Sequence, residues 1–143
     1  MKNKFKLLCL LICFVAISMM VSCNKDEATI DENASIVASW KCTYSFTKEL
    51  FYGEDGQCAG ERMEENKYKG EIMTLSEDGS VYINSTERGS YTKTTTTIIF
   101  NCKKMVYGLY KIVILTNSKF KIQKFNQNGE VDEWCDVLEF ERM

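Results

Sequence analysis

Any chemistry in this chain has to come from its cysteines and carboxylates, because its 143 residues include no histidine. Without an imidazole, the Ser-His and Cys-His pairs that activate a nucleophile cannot be built. Structural zinc sites typically draw their cysteines from close pairs. The seven cysteines (positions 9, 13, 23, 42, 58, 102 and 135) contain no Cys-x-x-Cys, so no metal is expected. Cleaving a sugar takes two carboxyl groups converging on one bond. The acids here stand in turns, as in Glu77-Asp78-Gly79, or alternate outward, as Glu139 and Glu141 do around Phe140. Asp78-Gly79 and Asn126-x-Asn128-Gly129 lack the spaced ligand series and closing Glu of a calcium loop. The eight glycines are scattered and form no phosphate cradle. Neither enzymatic activity nor a cofactor is expected.

Cys23 is the cysteine with a distinctive context. Lys2, Lys4 and Lys6 open the chain, and Leu7 to Ser22 is an apolar run without a charge. That run is shorter than the roughly 20 residues a helix needs to span a bilayer. A basic start, a short apolar run and a small residue at the cut site mark a secretory signal peptide. Met20-Val21-Ser22-Cys23 resembles the lipobox of bacterial lipoproteins, in which the cysteine is lipidated and becomes the new N-terminus. The resemblance implies removal of residues 1–22, lipidation at Cys23 and anchoring in the outer membrane. Each acyl CH2 buried there contributes about 0.8 kcal/mol. Lys25-Asp26-Glu27 resembles the surface-export signal of lipoproteins in the Bacteroidetes lineage, which implies exposure at the cell surface.

The remainder is acidic. The whole chain carries a net charge of −2, and the leader removes Lys2, Lys4 and Lys6 but no acid. An acidic chain without a basic stripe is a poor partner for nucleic acid. Past the leader and Cys23, the cysteines are Cys42, Cys58, Cys102 and Cys135, an even number in an oxidising compartment. Four cysteines allow three disulfide connectivities. Each bridge would contribute about 2–4 kcal/mol to a domain of this size.

These residues need elements to carry them. Residues 23–35 read as a lipidated, flexible tether, and residues 36–143 as one domain. Trp40, Cys42, Tyr44 and Phe46 fall at every second position with polar residues between them, the signature of a half-buried strand. Further strands are expected at 71–76, 80–85, 90–93, 95–102, 107–116, 119–125 and 131–141. Glu77-Asp78-Gly79, Glu87-Arg88-Gly89, Asn117-Ser118 and Asn128-Gly129 punctuate them as turns. Short strands at regular spacing suggest an antiparallel sandwich or barrel. Proline is absent, so no strand is barred from a central position. Lys48 to Tyr68 interrupts the rhythm: it carries Gly53, Gly56 and Gly60 and many acids. It reads either as a binding loop or as a long hairpin or short helix, since structureless loops of this length are uncommon.

Trp40 in the first strand, Leu75-Ser76-Glu77-Asp78-Gly79, Gly89-Ser90-Tyr91, Leu115-Thr116 and the closing Leu138-Glu139-Phe140-Glu141-Arg142 stand in a familiar order. Together they resemble the small lipocalin-like lipoproteins abundant in Bacteroidetes, over residues 36–143. The resemblance implies an all-β, antiparallel, up-and-down lipocalin-like barrel of about eight strands, with a Trp near its closed end. The chain departs from larger lipocalins, because Ala38-Ser39-Trp40 stands where they carry Gly-x-Trp. Eight strands enclose a space that side chains can just fill. The expected inward residues are Trp40, Tyr44, Phe46, Met73, Leu75, Ile83, Ile98, Phe100, Ile112, Ile114, Ile122, Leu138 and Phe140. Any pocket should then be a shallow cup under the 48–68 segment, lined by Phe46, Phe51 and Tyr52. First and last strands meet when a barrel closes, so Cys42 is expected to pair with Cys102 or Cys135, leaving Cys58 to the other.

The expected function is that of a non-enzymatic, membrane-anchored binder of a small apolar ligand or a protein partner. The alternative is an exported inhibitor of an extracellular or host enzyme such as lysozyme, since an acidic segment suits a basic target.

Overall fold

A computed structural model describes residues 28–125, 128–130 and 136–143. Among them run ten strands and no helix: β1 (Thr29–Ile30), β2 (Ala38–Tyr52), β3 (Cys58–Glu65), β4 (Ile72–Leu75), β5 (Ser80–Ile83), β6 (Thr86–Lys93), β7 (Thr97–Cys102), β8 (Tyr107–Leu115), β9 (Lys119–Lys124) and β10 (Val137–Arg142). Eight of them, β2 and β4 through β10, pair antiparallel in chain order, and β10 returns to β2. The result is the expected closed up-and-down barrel. β1 adds two residues parallel to β8, and β3 pairs with the outer half of β2.

The barrel has two unlike ends. At the entry end, where β2 begins, the 28–37 segment lies beside the β8–β9 turn, with the Asp31 amide donating to the Leu115 carbonyl at 2.8 Å. Ala34 and Ile36 are buried there against the core. The Trp40 indole N–H donates to the Ile36 carbonyl at 2.8 Å, and the Arg142 guanidinium sits 5.7 Å from its ring. Along the axis Trp40 packs on Phe120 and Phe120 on Phe140, while Phe100 meets Tyr110 edge-on at 5.7 Å. Such aromatic pairs add about 0.5–1.5 kcal/mol each beyond the area they bury.

Ten of the thirteen expected inward residues are buried; Tyr44, Phe46 and Ile114 are only half-buried. Two bulges explain the difference. Opposite β10, Cys42 pairs with Phe140 and Tyr44 with Glu139, so Thr43 is an extra residue. It is held by its own hydroxyl, which donates to the Glu139 carbonyl at 3.2 Å. An extra residue in a period-of-two pattern exchanges the faces. Beyond it Ser45 and Thr47 point inward, and Tyr44 and Phe46 turn out. Val113 does the same to Ile114 between β8 and β9.

The expected turn at Glu87-Arg88-Gly89 is instead part of β6, and the chain reverses earlier, at Asn84–Ser85, both with positive φ. Gly89 is needed for closeness: a Cβ there would lie 1.9 Å from the Asn101 carbonyl oxygen on β7. Of the expected disulfides, Cys42–Cys102 is not formed, since Cys42, Cys58 and Cys102 are free among the described residues; the pairings through Cys135 fall outside those residues. Cys42 and Cys102 face the interior from β2 and β7, strands that share no neighbour, and closure brings β10 rather than β7 to β2. Cys23 and Cys135 lie outside the described residues.

Candidate functional site

The mouth, opposite the entry end, is built by β2 overshooting the barrel. Its first half pairs with β4 and β10, and its second half continues with β3 as a projecting hairpin. The 48–68 segment is thus a hairpin, one of the two readings its sequence allows. Side chains alternate across it. Cross-strand pairs Lys48–Met63, Leu50–Glu61 and Tyr52–Cys58 share one face, and Thr47–Glu64, Glu49–Arg62 and Phe51–Gly60 share the other. Leu50, Phe51, Tyr52 and Met63 are 41%, 47%, 60% and 43% exposed, so the hairpin offers apolar surface to a partner. Its acids are partly matched, by Lys48 to Glu61 and by Lys67 to Glu49 and Glu64 at 2.9 and 2.8 Å. The Lys67 contact holds the Glu64 carboxyl below its ordinary value. Exposed pairs of this kind are worth little stability; they stiffen the hairpin base.

The 66–71 turn that returns from β3 to β4 is pinned to the barrel by Ser45. The Asn66 amide donates to the Ser45 carbonyl at 2.6 Å, and the Tyr68 amide to the Ser45 hydroxyl at 3.0 Å. A serine where alternation predicts a large side chain therefore has a definite task. Thr47, two residues on, differs: it is 7% exposed and its hydroxyl has no partner among the described residues. A buried hydroxyl without a hydrogen bond costs about 1–3 kcal/mol.

Thr47 lines a cup of about 210 Å³ with Tyr68, Cys102, Met105, Val106 and Tyr110, rimmed by Lys48, Lys103, Lys104, Lys124, Glu49 and Asp136. The β7–β8 connection supplies Met105 and Val106, both buried, with Met105 held at φ 73°. The Cys102 thiol donates to the Lys104 carbonyl at 3.0 Å, and the Tyr110 hydroxyl accepts from the Tyr107 amide at 3.4 Å. Burial holds the Tyr110 phenol far above its ordinary value, so it stays protonated. The cup thus sets lysines and two acids around an apolar floor, with the Tyr110 phenol protonated.

None of Phe46, Phe51 and Tyr52 is among the residues lining this cup. Phe46 is half-buried on the outer wall, and Phe51 and Tyr52 stand near the hairpin tip. The cup residues escape sequence reasoning because they come from separate segments and alternate with nothing in common. The signal that could have flagged the region is the pair of small polar residues, Ser45 and Thr47, on an otherwise apolar strand. A shallow hollow of about 520 Å³ at the entry end holds Asp31, Lys93 and Thr94, but Asp31 and Thr94 are engaged in local turns. No known protein family, curated protein or solved structure matches the chain.

Proposed function

We propose that the chain is a lipid-anchored, non-enzymatic binding module of the outer membrane, akin to the small lipocalin-like lipoproteins, that docks a protein partner through its β2–β3 hairpin. The observation that carries this reading is the hairpin itself, projecting with Leu50, Phe51, Tyr52 and Met63 exposed from a barrel packed with its own side chains. A core built on Trp40, Phe100, Tyr110, Phe120 and Phe140 leaves a bulky apolar ligand little interior to occupy, which favours the protein partner. Aromatic and methionine side chains are the types enriched at interfaces.

Glu49, Glu54, Asp55, Glu61, Glu64, Glu65 and Glu71 outnumber Lys48, Arg62, Lys67 and Lys69 across the hairpin and the turn that follows it, so the partner offers a basic surface. A basic extracellular enzyme such as lysozyme is one such partner, and inhibition would follow if the hairpin enters its cleft. The tether suits this arrangement. Cys23 precedes Thr29 by so few residues that the entry end stays within roughly 20 Å of a lipid anchor, with the hairpin directed away.

Photo-crosslinking from position 52 on intact cells tests the reading. One discrete protein adduct is expected, weakened by salt and abolished by Leu50→Asp with Met63→Asp. Adducts that survive both changes, or that form only from the barrel wall at Ile99, would sink it. Purified lysozyme serves as a defined basic probe for the inhibitor form, and Cys23→Ala should abolish incorporation of labelled fatty acid.

A further inference from the structure

We infer that the cup at the barrel mouth is a binding site for a small organic carboxylate, with its apolar body against Met105 and Val106 and its charge between the Thr47 hydroxyl and the rim lysines. The inference goes beyond the docking of a protein on the hairpin and does not depend on it.

Three observations converge. The first is charge: the lining counts four lysines, Lys48, Lys103, Lys104 and Lys124, against two acids, Glu49 and Asp136, on a chain whose net charge is −2. Lys48 is paired with Glu61 and Lys104 with Glu71 at 3.2 Å, while Lys124 reaches Asp136 only at 3.7 Å. Lys103 is exposed, with no ion-pair partner among the described residues. Two acids on the same rim would repel a dianion more than a monoanion, which favours a carboxylate over a phosphate.

The second is the unpartnered donor. Ser45 and Thr47 point inward from the same strand, yet among the described residues only the Ser45 hydroxyl has a partner. The Thr47 hydroxyl is left for a group that arrives from outside, and an ionised acceptor is the strongest it could meet. Tyr110 adds a second hydroxyl at the same cup, and the structure records it only as an acceptor.

The third is size. About 210 Å³ holds roughly seven waters at about 30 Å³ each, which suits a short-chain or single-ring acid and is below the roughly 300–1,000 Å³ of drug-sized pockets. The floor of Cys102, Met105 and Val106 is buried and apolar, as the body of such an acid requires.

The test is a titration of the isotope-labelled exported chain with sodium hexanoate, followed by amide NMR shifts, with hexan-1-ol as the neutral counterpart. Saturable shifts at Thr47, Cys102, Met105 and Val106 are expected, with the alcohol at least about tenfold weaker. Thr47→Val should weaken hexanoate by about fivefold to tenfold without altering the alcohol. Lys103→Gln, an exposed change that leaves the fold alone, should weaken it and flatten its salt dependence, so the test survives if Thr47→Val fails to fold. Equal binding of acid and alcohol, shifts confined to other sites, no saturation up to about 20 mM, or indifference to both substitutions would each overturn the inference.

Discussion

Gly89 and Cys42 show how single atoms decide this barrel. Adding one methyl at Gly89 would press a Cβ onto the Asn101 carbonyl, and that neighbour is backbone that cannot rotate away. Gly89→Ala should therefore destabilise by about 1–3 kcal/mol, seen as a lower urea midpoint with unchanged slope. Cys42 is 1% exposed, and burial raises its thiol from 9.0 to about 11, with Glu71 and Glu139 adding to the effect. The sign follows from proton linkage. Between pH 9 and 11 the unfolded chain has lost that proton and the folded chain retains it, so stability falls as pH rises, by up to about 1.4 kcal/mol per unit. Urea titrations at pH 8, 9, 10 and 11 should show this decline in the native chain and a shallower one in Cys42→Ala. An equal decline in both would remove Cys42 from the account.

Among the elements, the hairpin and the β5–β6 turn separate function from folding. The outer half of β2 has β3 as its partner, while the inner half is held by β4 and β10. Replacing residues 49–62 with Asn-Gly joins Lys48 to Met63, which already face each other. Only exposed ion pairs and a long connection are lost, so stability should stay within about 1 kcal/mol while partner crosslinking disappears. A shortened chain that no longer unfolds cooperatively would make the hairpin part of the core. The β5–β6 turn places Asn84 at φ 49° and Ser85 at φ 66°. A non-glycine residue pays about 1–2 kcal/mol in that region, partly offset by the freedom a glycine regains when unfolded. Ser85→Gly should raise stability by about 0.5–1 kcal/mol, measurable as a small rise in Tm.

For the molecule as a whole, the decisive feature is polarity along the barrel axis. The chain enters beside the β8–β9 turn, and the cup and hairpin lie at the other end. The 15 residues of β2, at about 3.3 Å each, put the hairpin tip on the order of 45 Å from the entry end. A lipid at Cys23 would thus hold one end near the bilayer and present the other to the surroundings. In a Cys135→Ser background, a fluorophore on exposed Cys58 should escape quenching by bilayer-embedded nitroxide lipid, and one on Ser118→Cys should be quenched. The reverse pattern would mean that the hairpin lies on the membrane and that its apolar residues serve lipid contact.

The sequence by itself determined the local events. Alternation from Trp40, the turns at Asp78-Gly79 and Asn117-Ser118, and the strand-by-strand spacing required only neighbours along the chain, and with them an antiparallel sandwich or barrel was legible; the closed eight-stranded form came only as an implication of the family resemblance. Tertiary structure decided which face each residue presents after Thr43 and Val113, because a bulge exists only relative to the partner strand that lacks the extra residue. It decided that Gly89 sits inside a strand, since the contact it permits is made by β7. It also decided the cup, where Thr47, Tyr68, Cys102, Met105 and Tyr110 meet only because the sheet closes on itself. Such pairings are set by non-local contacts, and no pattern within a single strand encodes them.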